Sequence, residues 1–407
     1  KAAPAGKRIL IVGGSIAGHT AAHVCRELDP SARITLATDE THRFYNRLNL
    51  TRFLAAEIER DKLFDFSESW YAEQQIEVAT ESRAIALDPF GKRVVFASGV
   101  ELGYDSLILA HGSSAALPRF YRELPGVVLL RTLDDAERIL AAATGARVAV
   151  IGGGVLGLEA AYGARLRGAA EVSVFEYFPR LMPRQLDAAA GELLAALVRD
   201  KGIAVHVGCG VGAIVGSERA EAIELEDGRA FAADLVVVST GIAPNVDWVK
   251  RSGVAAARGV LVDDGMRTSA ADVYAAGDVV EWRGGVVGLW MNAIEQAKVA
   301  ARAAVGLPAA FAGYIPATTL KCLGIPVFAI GDSTAEGDDV TAQVVSEPSR
   351  RIHWKLISRA GLPIGGILLN TVEGMAEMKR LVETTAAIGR LSRSVLAASA
   401  PDASSPR

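Results

Sequence analysis

Arg8-Ile9-Leu10-Ile11-Val12-Gly13-Gly14-Ser15-Ile16-Ala17-Gly18-His19-Thr20-Ala21-Ala22 decides the fold, because the chain repeats its pattern much later. The echo is Arg147-Val148-Ala149-Val150-Ile151-Gly152-Gly153-Gly154-Val155-Leu156-Gly157-Leu158-Glu159-Ala160-Ala161. Each copy is a short β-branched run, a glycine-rich turn and an alanine-rich helical stretch. The separation is too long for a solenoid repeat and suits two domains of one kind. In each turn the first glycine (Gly13, Gly152) permits the tight strand-to-helix reversal. The middle position (Ser15, Gly154) lets backbone approach a pyrophosphate, and the last (Gly18, Gly157) lets helix pack on strand. The helix N-terminus then offers free amides and partial positive charge to phosphate.

An acid is expected about 20 residues beyond each turn, where the second strand ends. The first copy has Arg33-Ile34-Thr35-Leu36-Ala37-Thr38 ending at Asp39-Glu40, and the second has Glu171-Val172-Ser173-Val174-Phe175 ending at Glu176. Such an acid binds adenosine ribose hydroxyls and repels a 2′-phosphate. That argues for FAD at the first site, and for NADH over NADPH at the second. Either Asp39 or Glu40 can hold the flavin ribose. Ser15, in place of the middle glycine, is expected to weaken FAD binding without abolishing it.

The chain has 407 residues, half of them hydrophobic and 22% charged, which excludes a disordered chain and predicts two or three domains. The net charge of −4, with both signs mixed, gives no basic footprint for nucleic acid. No apolar run reaches the ~18 residues of a membrane span. Lys1-Ala2-Ala3-Pro4-Ala5-Gly6-Lys7 does not read as a signal peptide, so a cytoplasmic protein is expected. The same stretch resembles a linker, consistent with an upstream domain or with simple trimming. Cys25, Cys209 and Cys322 form no close pair, and with six scattered histidines they make no metal site.

With both turns in hand, the chain resembles the pyridine-nucleotide-dependent flavoprotein reductases with two dinucleotide domains, over about residues 8–305. Asp105-Ser106-Leu107-Ile108-Leu109-Ala110-His111-Gly112-Ser113 is similar to the family's strand ending in ATGS, with His111 in place of Thr. Leu235–Asn245, including Gly241, resembles the strand and turn that leave the NAD domain. Val273-Tyr274-Ala275-Ala276-Gly277-Asp278 resembles the second FAD motif, whose Asp meets the ribityl chain.

The subgroup is narrowed by a missing thiol. Where relatives carry a redox Cys, this chain reads Phe44-Tyr45-Asn46-Arg47-Leu48-Asn49-Leu50-Thr51-Arg52, so dithiol relay lacks its reactive atom. The segment is similar to rubredoxin reductases, the flavin domain of NADH-dependent nitrite reductases and ferredoxin-reductase-type components. The resemblance puts Arg47 near the isoalloxazine and Arg52 where relatives place Lys, a cation that would stabilise reduced flavin. A surface ion pair is the alternative for each. Trp290, in a W-x-x-A-x-x-Q pattern ending at Gln296, is implied at the flavin edge, against a core packing role. Glu159 is implied at the nicotinamide carboxamide, against helix packing. Lys321 is implied to reach the flavin from the C-terminal domain, against a charge on an edge strand.

The expected fold class is α/β, with two Rossmann-like dinucleotide-binding domains arranged as in glutathione reductase and a small α+β C-terminal domain. The FAD domain is split into 1–115 and 245–308 by an NAD domain at 116–244. The C-terminal domain covers 309–390, with strands near 352–357 and 364–369 and a helix near 372–386. A disordered tail is expected from about Leu391. The implied activity is an FAD-dependent NADH:acceptor oxidoreductase that is a monomer or homodimer. It would pass electrons to rubredoxin, ferredoxin or a nitrite reductase module. The alternatives are an NADH oxidase or quinone reductase, an NADH-responsive sensor, and a disulfide reductase using Cys25 or Cys322.

Overall fold

The computed structural model describes residues 6–320 and 323–398. Two five-stranded, wholly parallel sheets carry the two glycine-rich turns. In the first, the strand order is Val273–Ala275, Ser106–Leu109, Arg8–Val12, Arg33–Ala37, Ile76–Ala79. In the second it is Ala204–Val207, Glu171–Glu176, Arg147–Ile151, Leu235–Val238, Val127–Leu129. The strand before each turn sits at the centre of its sheet, flanked on both sides. That position explains its composition, since a strand covered by helices on both faces must be apolar throughout. Ile9–Val12 and Val148–Ile151 are buried at every position.

A short antiparallel pair, Ser113–Ala115 with Ile242–Pro244, joins the two sheets where the chain crosses between them. Helix Leu50–Leu54 of the first region packs on helix Val155–Leu166 of the second. A Cβ on Gly163 would lie 2.8 Å from that of Leu54, so only glycine permits this spacing. Arg167 fastens the same contact by donating to the carbonyls of Phe53 and Leu54 at 2.8 and 2.9 Å.

Beyond residue 316 the chain forms an antiparallel sheet in the order Ala317–Leu320, Val327–Gly331, Leu362–Leu369, Ile352–Arg359, Val340–Glu347. Helix Met375–Ala398 packs against it. The two expected strands are present and longer than their apolar cores. Val340–Glu347 was not anticipated, because as an exposed edge strand it has no buried face to impose alternation. The helix runs to Ala398, past the residue at which a tail is expected. The remainder of the tail, residues 399–407, and the linker-like residues 1–5 lie outside the described residues.

Asp187 ties this sheet to the region of the second glycine turn. It caps helix Ala188–Arg199 by accepting from the Ala190 amide at 2.9 Å, and it receives Lys355 at 2.9 Å, with His353 at 3.5 Å. His353, the Ala190 amide and Lys355 hold its carboxyl well below the usual carboxylate range. A depressed carboxylate contributes stability above its unfolded pKa of about 3.9 and loses it as pH falls towards the folded value. Asp187→Asn is therefore expected to cost about 1–2 kcal/mol at pH 7. Urea midpoints of the two proteins should converge as pH drops below about 4. A gap independent of pH would contradict the assignment.

Candidate functional site

Gly13 has φ +117°, and a Cβ there would lie 2.1 Å from the Ala110 carbonyl oxygen. A Cβ on Gly18 would lie 1.7 Å from the Gly13 carbonyl oxygen. Both glycines are demanded by the turn itself. Ser15 begins helix Ile16–Leu28 with φ −81° and ψ −169°, close to the φ −79° and ψ 179° of Gly154 in the second turn. The serine therefore leaves the backbone path unchanged. Neither residue makes a side-chain cap, so the first amides of both helices are left for an anionic ligand.

At the end of strand Arg33–Ala37 the two acids separate. Glu40 accepts from the Tyr45 hydroxyl at 2.6 Å and pairs with Arg47, while Asp39 is exposed with no hydrogen-bond partner among the described residues. The Arg47 side chain is largely buried. Burial opposes its charge, but Tyr45, Glu40, Asp278 and Asp39 together raise its pKa, so it remains a cation.

Arg47 also donates to the Arg131 carbonyl at 3.2 Å, and Arg131 donates to Asp278 at 2.7 Å. Ser113 completes the group, donating to Asp278 at 3.0 Å and accepting from Arg131 at 2.9 Å. Gly277, at φ +84°, lies so close to helix Ile16–Leu28 that its Cβ would be 2.9 Å from that of Ala17. Its amide donates to Gln296, which explains the glutamine of the W-x-x-A-x-x-Q pattern.

Arg131 was missed by sequence reasoning. Its only signal is its place just ahead of Thr132, which forms a capping box with Asp135 on helix Leu133–Ala143.

The second turn repeats the first. Gly152 has φ +115° and a would-be Cβ 2.1 Å from the Ser239 carbonyl oxygen, and that of Gly157 would lie 2.0 Å from the Gly152 oxygen. A Cβ on Gly154 would meet nothing within 4 Å, because this position opens on a cleft of about 800 Å³. The cleft is lined by Val155, Leu156, Glu176 and Gly241, and also by Leu48, Trp290 and Thr318 from other parts of the chain. Glu176 is buried and accepts from the amides of Gly153 at 2.7 Å and Phe178 at 2.9 Å. Glu159 is buried and accepts from the Thr51 hydroxyl at 2.6 Å, a contact between residues too far apart in the chain to be read from it.

Not every expected residue joins these groups. Arg52 turns to Glu57 at 3.2 Å and is partly exposed, which favours the ion-pair alternative over a place beside the flavin. Lys321 lies outside the described residues, as does Cys322. Cys25 is buried in the core under helix Trp290–Ala304, and burial pushes its thiol up to about 12. Cys209 is buried in an apolar cluster with Phe175 and Val211 at the wall of the cleft, and burial raises its pKa too. Neither is a ready thiolate. Among the described residues, no helix is long and apolar enough to cross a membrane.

The glycine turns, uncapped helix ends and terminal acids fit two dinucleotides. A family model described as pyridine nucleotide-disulphide oxidoreductase matches residues 7–304, and one for the rubredoxin NAD+ reductase C-terminal domain matches residues 316–386. The chain is 33% identical over 391 residues to the nitrite reductase [NAD(P)H] of Bacillus subtilis (strain 168), covering 95% of this chain and 48% of that protein. It is 30% identical over 384 residues to the ferredoxin–NAD(+) reductase component of the biphenyl dioxygenase system of Paraburkholderia xenovorans (strain LB400), covering 93% of this chain and 90% of that protein. The chain thus spans about half the length of the nitrite reductase and nearly all of the dioxygenase component. Among solved structures, NADH:rubredoxin oxidoreductase from Clostridium acetobutylicum superposes with a TM-score of 0.78 at 27% identity, covering 93% of this chain and 95% of that one.

Proposed function

This chain belongs to the pyridine nucleotide-disulphide oxidoreductase family, whose cofactors are FAD and NAD(H), and from that premise we propose that it is an NADH:acceptor oxidoreductase serving a one-electron carrier protein. The carrier is of rubredoxin or ferredoxin type, or a nitrite reductase module. One observation carries the reading. Gly154 and Glu176 of the second turn line one cleft together with Trp290, on the helix whose Gln296 holds Gly277 of the first dinucleotide site. A dinucleotide bound along that cleft would have its far end delivered to the other site.

FAD, when bound, supplies the conversion between a two-electron hydride donor and one-electron acceptors. The chain supplies position and charge. In this reading Asp39 takes the flavin ribose, because Glu40 is tied to Tyr45 and Arg47. Gly13, Gly14, Ser15, Ala17 and Gly18 hold the pyrophosphate side. Ala110, Gly112, Gly277 and Asp278 hold the ribityl side, and Arg47 is the fixed cation there. In the cleft, the Gly152–Gly157 turn receives the phosphates of NADH. Glu176 accepts its ribose hydroxyls and repels a 2′-phosphate. Glu159, held by Thr51, is assigned to the nicotinamide carboxamide. Hydride transfer then depends on alignment rather than on an added acid or base.

Steady-state turnover with NADH and a panel of ferredoxin, rubredoxin, quinone and oxygen tests the proposal. An iron–sulfur or rubredoxin acceptor should turn over at about tens per second. Equal rates with oxygen alone would favour an oxidase. Cys25→Ala and Cys209→Ala should keep turnover within about twofold, since both thiols are buried and protonated. Loss of turnover in either variant would restore a thiol relay.

A further inference from the structure

Residues 177–187 connect strand Glu171–Glu176 to helix Ala188–Arg199 without a helix or strand of their own. One side of this loop belongs to the cleft, where Tyr177, Phe178, Pro183, Arg184 and Gln185 are among the lining residues. The other side is core. Leu181, Met182 and Leu186 are fully buried, in one cluster with Val327, Ile367 and Leu369 of the C-terminal sheet. A buried loop with no ladder of its own must find partners for its backbone elsewhere. Met182, at φ +47°, donates its amide to the Gly153 carbonyl of the second turn at 2.9 Å. Its carbonyl accepts from the Gln185 and Leu186 amides, each at 2.9 Å. Arg180 folds back to donate to the carbonyls of Leu186 at 2.8 Å and Pro183 at 3.3 Å.

The C-terminal sheet adds two ties. The Ser333 hydroxyl donates to the Gln185 carbonyl at 2.9 Å, and Lys355 donates to Asp187, at the loop's end, at 2.9 Å. Ser333 is buried and its own backbone is held. The neighbouring Asp332 amide donates to the Ile364 carbonyl at 3.0 Å, and a Cβ on Gly365 would lie 2.4 Å from the Asp332 carbonyl oxygen. The turn carrying Ser333 is thus pressed onto strand Leu362–Leu369. Through the Ser333 bond, the place of that sheet is passed to residues 183–185, which line the cleft.

We propose that Ser333 is a positioning residue for the nucleotide. By holding the Gln185 carbonyl it fixes the wall made by residues 183–185, so the C-terminal sheet sets the affinity for NADH. The inference rests on NADH occupying the cleft. A wall already in place spares the ligand the cost of ordering it, whereas a loosened wall is ordered at the expense of affinity. Once the nucleotide is seated, the wall contributes equally to ground and transition states. Binding should therefore move and the hydride step should not.

Anaerobic stopped-flow bleaching of the FAD-loaded protein over a range of NADH gives the Kd and the limiting rate separately. Ser333→Ala and Lys355→Met are compared with a control, Ile330→Val. Ile330 is buried with Met378 and Val382 of the C-terminal helix, on the other face of the sheet, so its truncation loosens the sheet without touching the loop. Ser333→Ala should raise the Kd by about fivefold and Lys355→Met by about threefold. The limiting rate should stay within about twofold and the flavin:protein ratio should be unchanged in both. Ile330→Val should leave the Kd as it is. Hydrogen exchange of the peptide covering residues 177–187 should quicken in Ser333→Ala, while that covering residues 8–12 does not. An unchanged Kd in Ser333→Ala would overturn the proposal. So would an equal rise in Ile330→Val, which marks general loosening, or a slower limiting rate at unchanged Kd. If Ser333→Ala does not fold, Lys355→Met decides, and an unchanged Kd there overturns the proposal. A wild type that NADH leaves unbleached would overturn the reading of the cleft, and this role for Ser333 with it.

Discussion

Gly157→Ala is expected to leave FAD bound at full stoichiometry and to slow NADH bleaching of the flavin band by at least about a hundredfold. The added Cβ would lie 2.0 Å from the Gly152 carbonyl oxygen and 3.1 Å from its carbon. Both are backbone atoms, so no side chain can rotate away. The helix must move off its strand, carrying with it the amides proposed to meet the nicotinamide dinucleotide. A displacement of about 1 Å suffices for a hundredfold loss where geometry governs hydride transfer. The first turn, proposed to hold FAD, lies in the other sheet and is untouched. Gly154→Ala is the control, since a Cβ there meets nothing within 4 Å and φ is −79°. Its fold should be intact, and any loss of NADH affinity would report how closely the ligand approaches. Circular dichroism, flavin:protein ratio and stopped-flow bleaching separate these outcomes. Wild-type bleaching in Gly157→Ala would remove the second turn from the mechanism.

Arg131→Ala is expected to release FAD. The Arg131 guanidinium supports Asp278 directly and also donates to Ser113, while its carbonyl, which receives Arg47, survives the substitution. Removing one partner of a buried ion pair leaves the other charge uncompensated, a loss of about 3–5 kcal/mol. The Arg131 and Asp278 side chains retain 27% and 17% exposure, so solvent screening reduces this. About 2 kcal/mol remains, or roughly thirtyfold in FAD affinity. Arg131→Lys should recover only part of it, because an ammonium cannot bridge Asp278 and Ser113 with the same fork. The flavin:protein ratio after gel filtration, and the Kd of apoprotein for FAD, measure the effect. A variant that purifies fully yellow would show that the cluster is structural only.

The two turns were legible because their geometry leaves almost no freedom. Gly13, Gly18, Gly152 and Gly157 each face a carbonyl oxygen closer than any Cβ could tolerate. The flanking strands were equally plain, since central parallel strands must be apolar on both faces. What could not be read was the pairing of charges that are distant in sequence. Nothing in Asp39-Glu40 shows that Glu40 is taken by Tyr45 and Arg47, nor in Thr51-Arg52 that the threonine faces Glu159 while the arginine turns to Glu57. Arg131 has no motif of its own, and its role emerges only when the crossing strands bring it beside Asp278. The edge strand Val340–Glu347 was silent because exposure removes the alternation that marks a half-buried strand.

In the proposed mechanism, two dinucleotide sites share one cleft and Glu176 sets the choice of nucleotide. An anaerobic titration of the purified protein with NADH and, separately, with NADPH tests it by following the flavin band. The account predicts a yellow protein that NADH bleaches with one equivalent, at a rate at least about tenfold above that with NADPH, a difference of about 1.4 kcal/mol. A yellow protein that NADH leaves unbleached, or one that NADPH bleaches as fast, would contradict it.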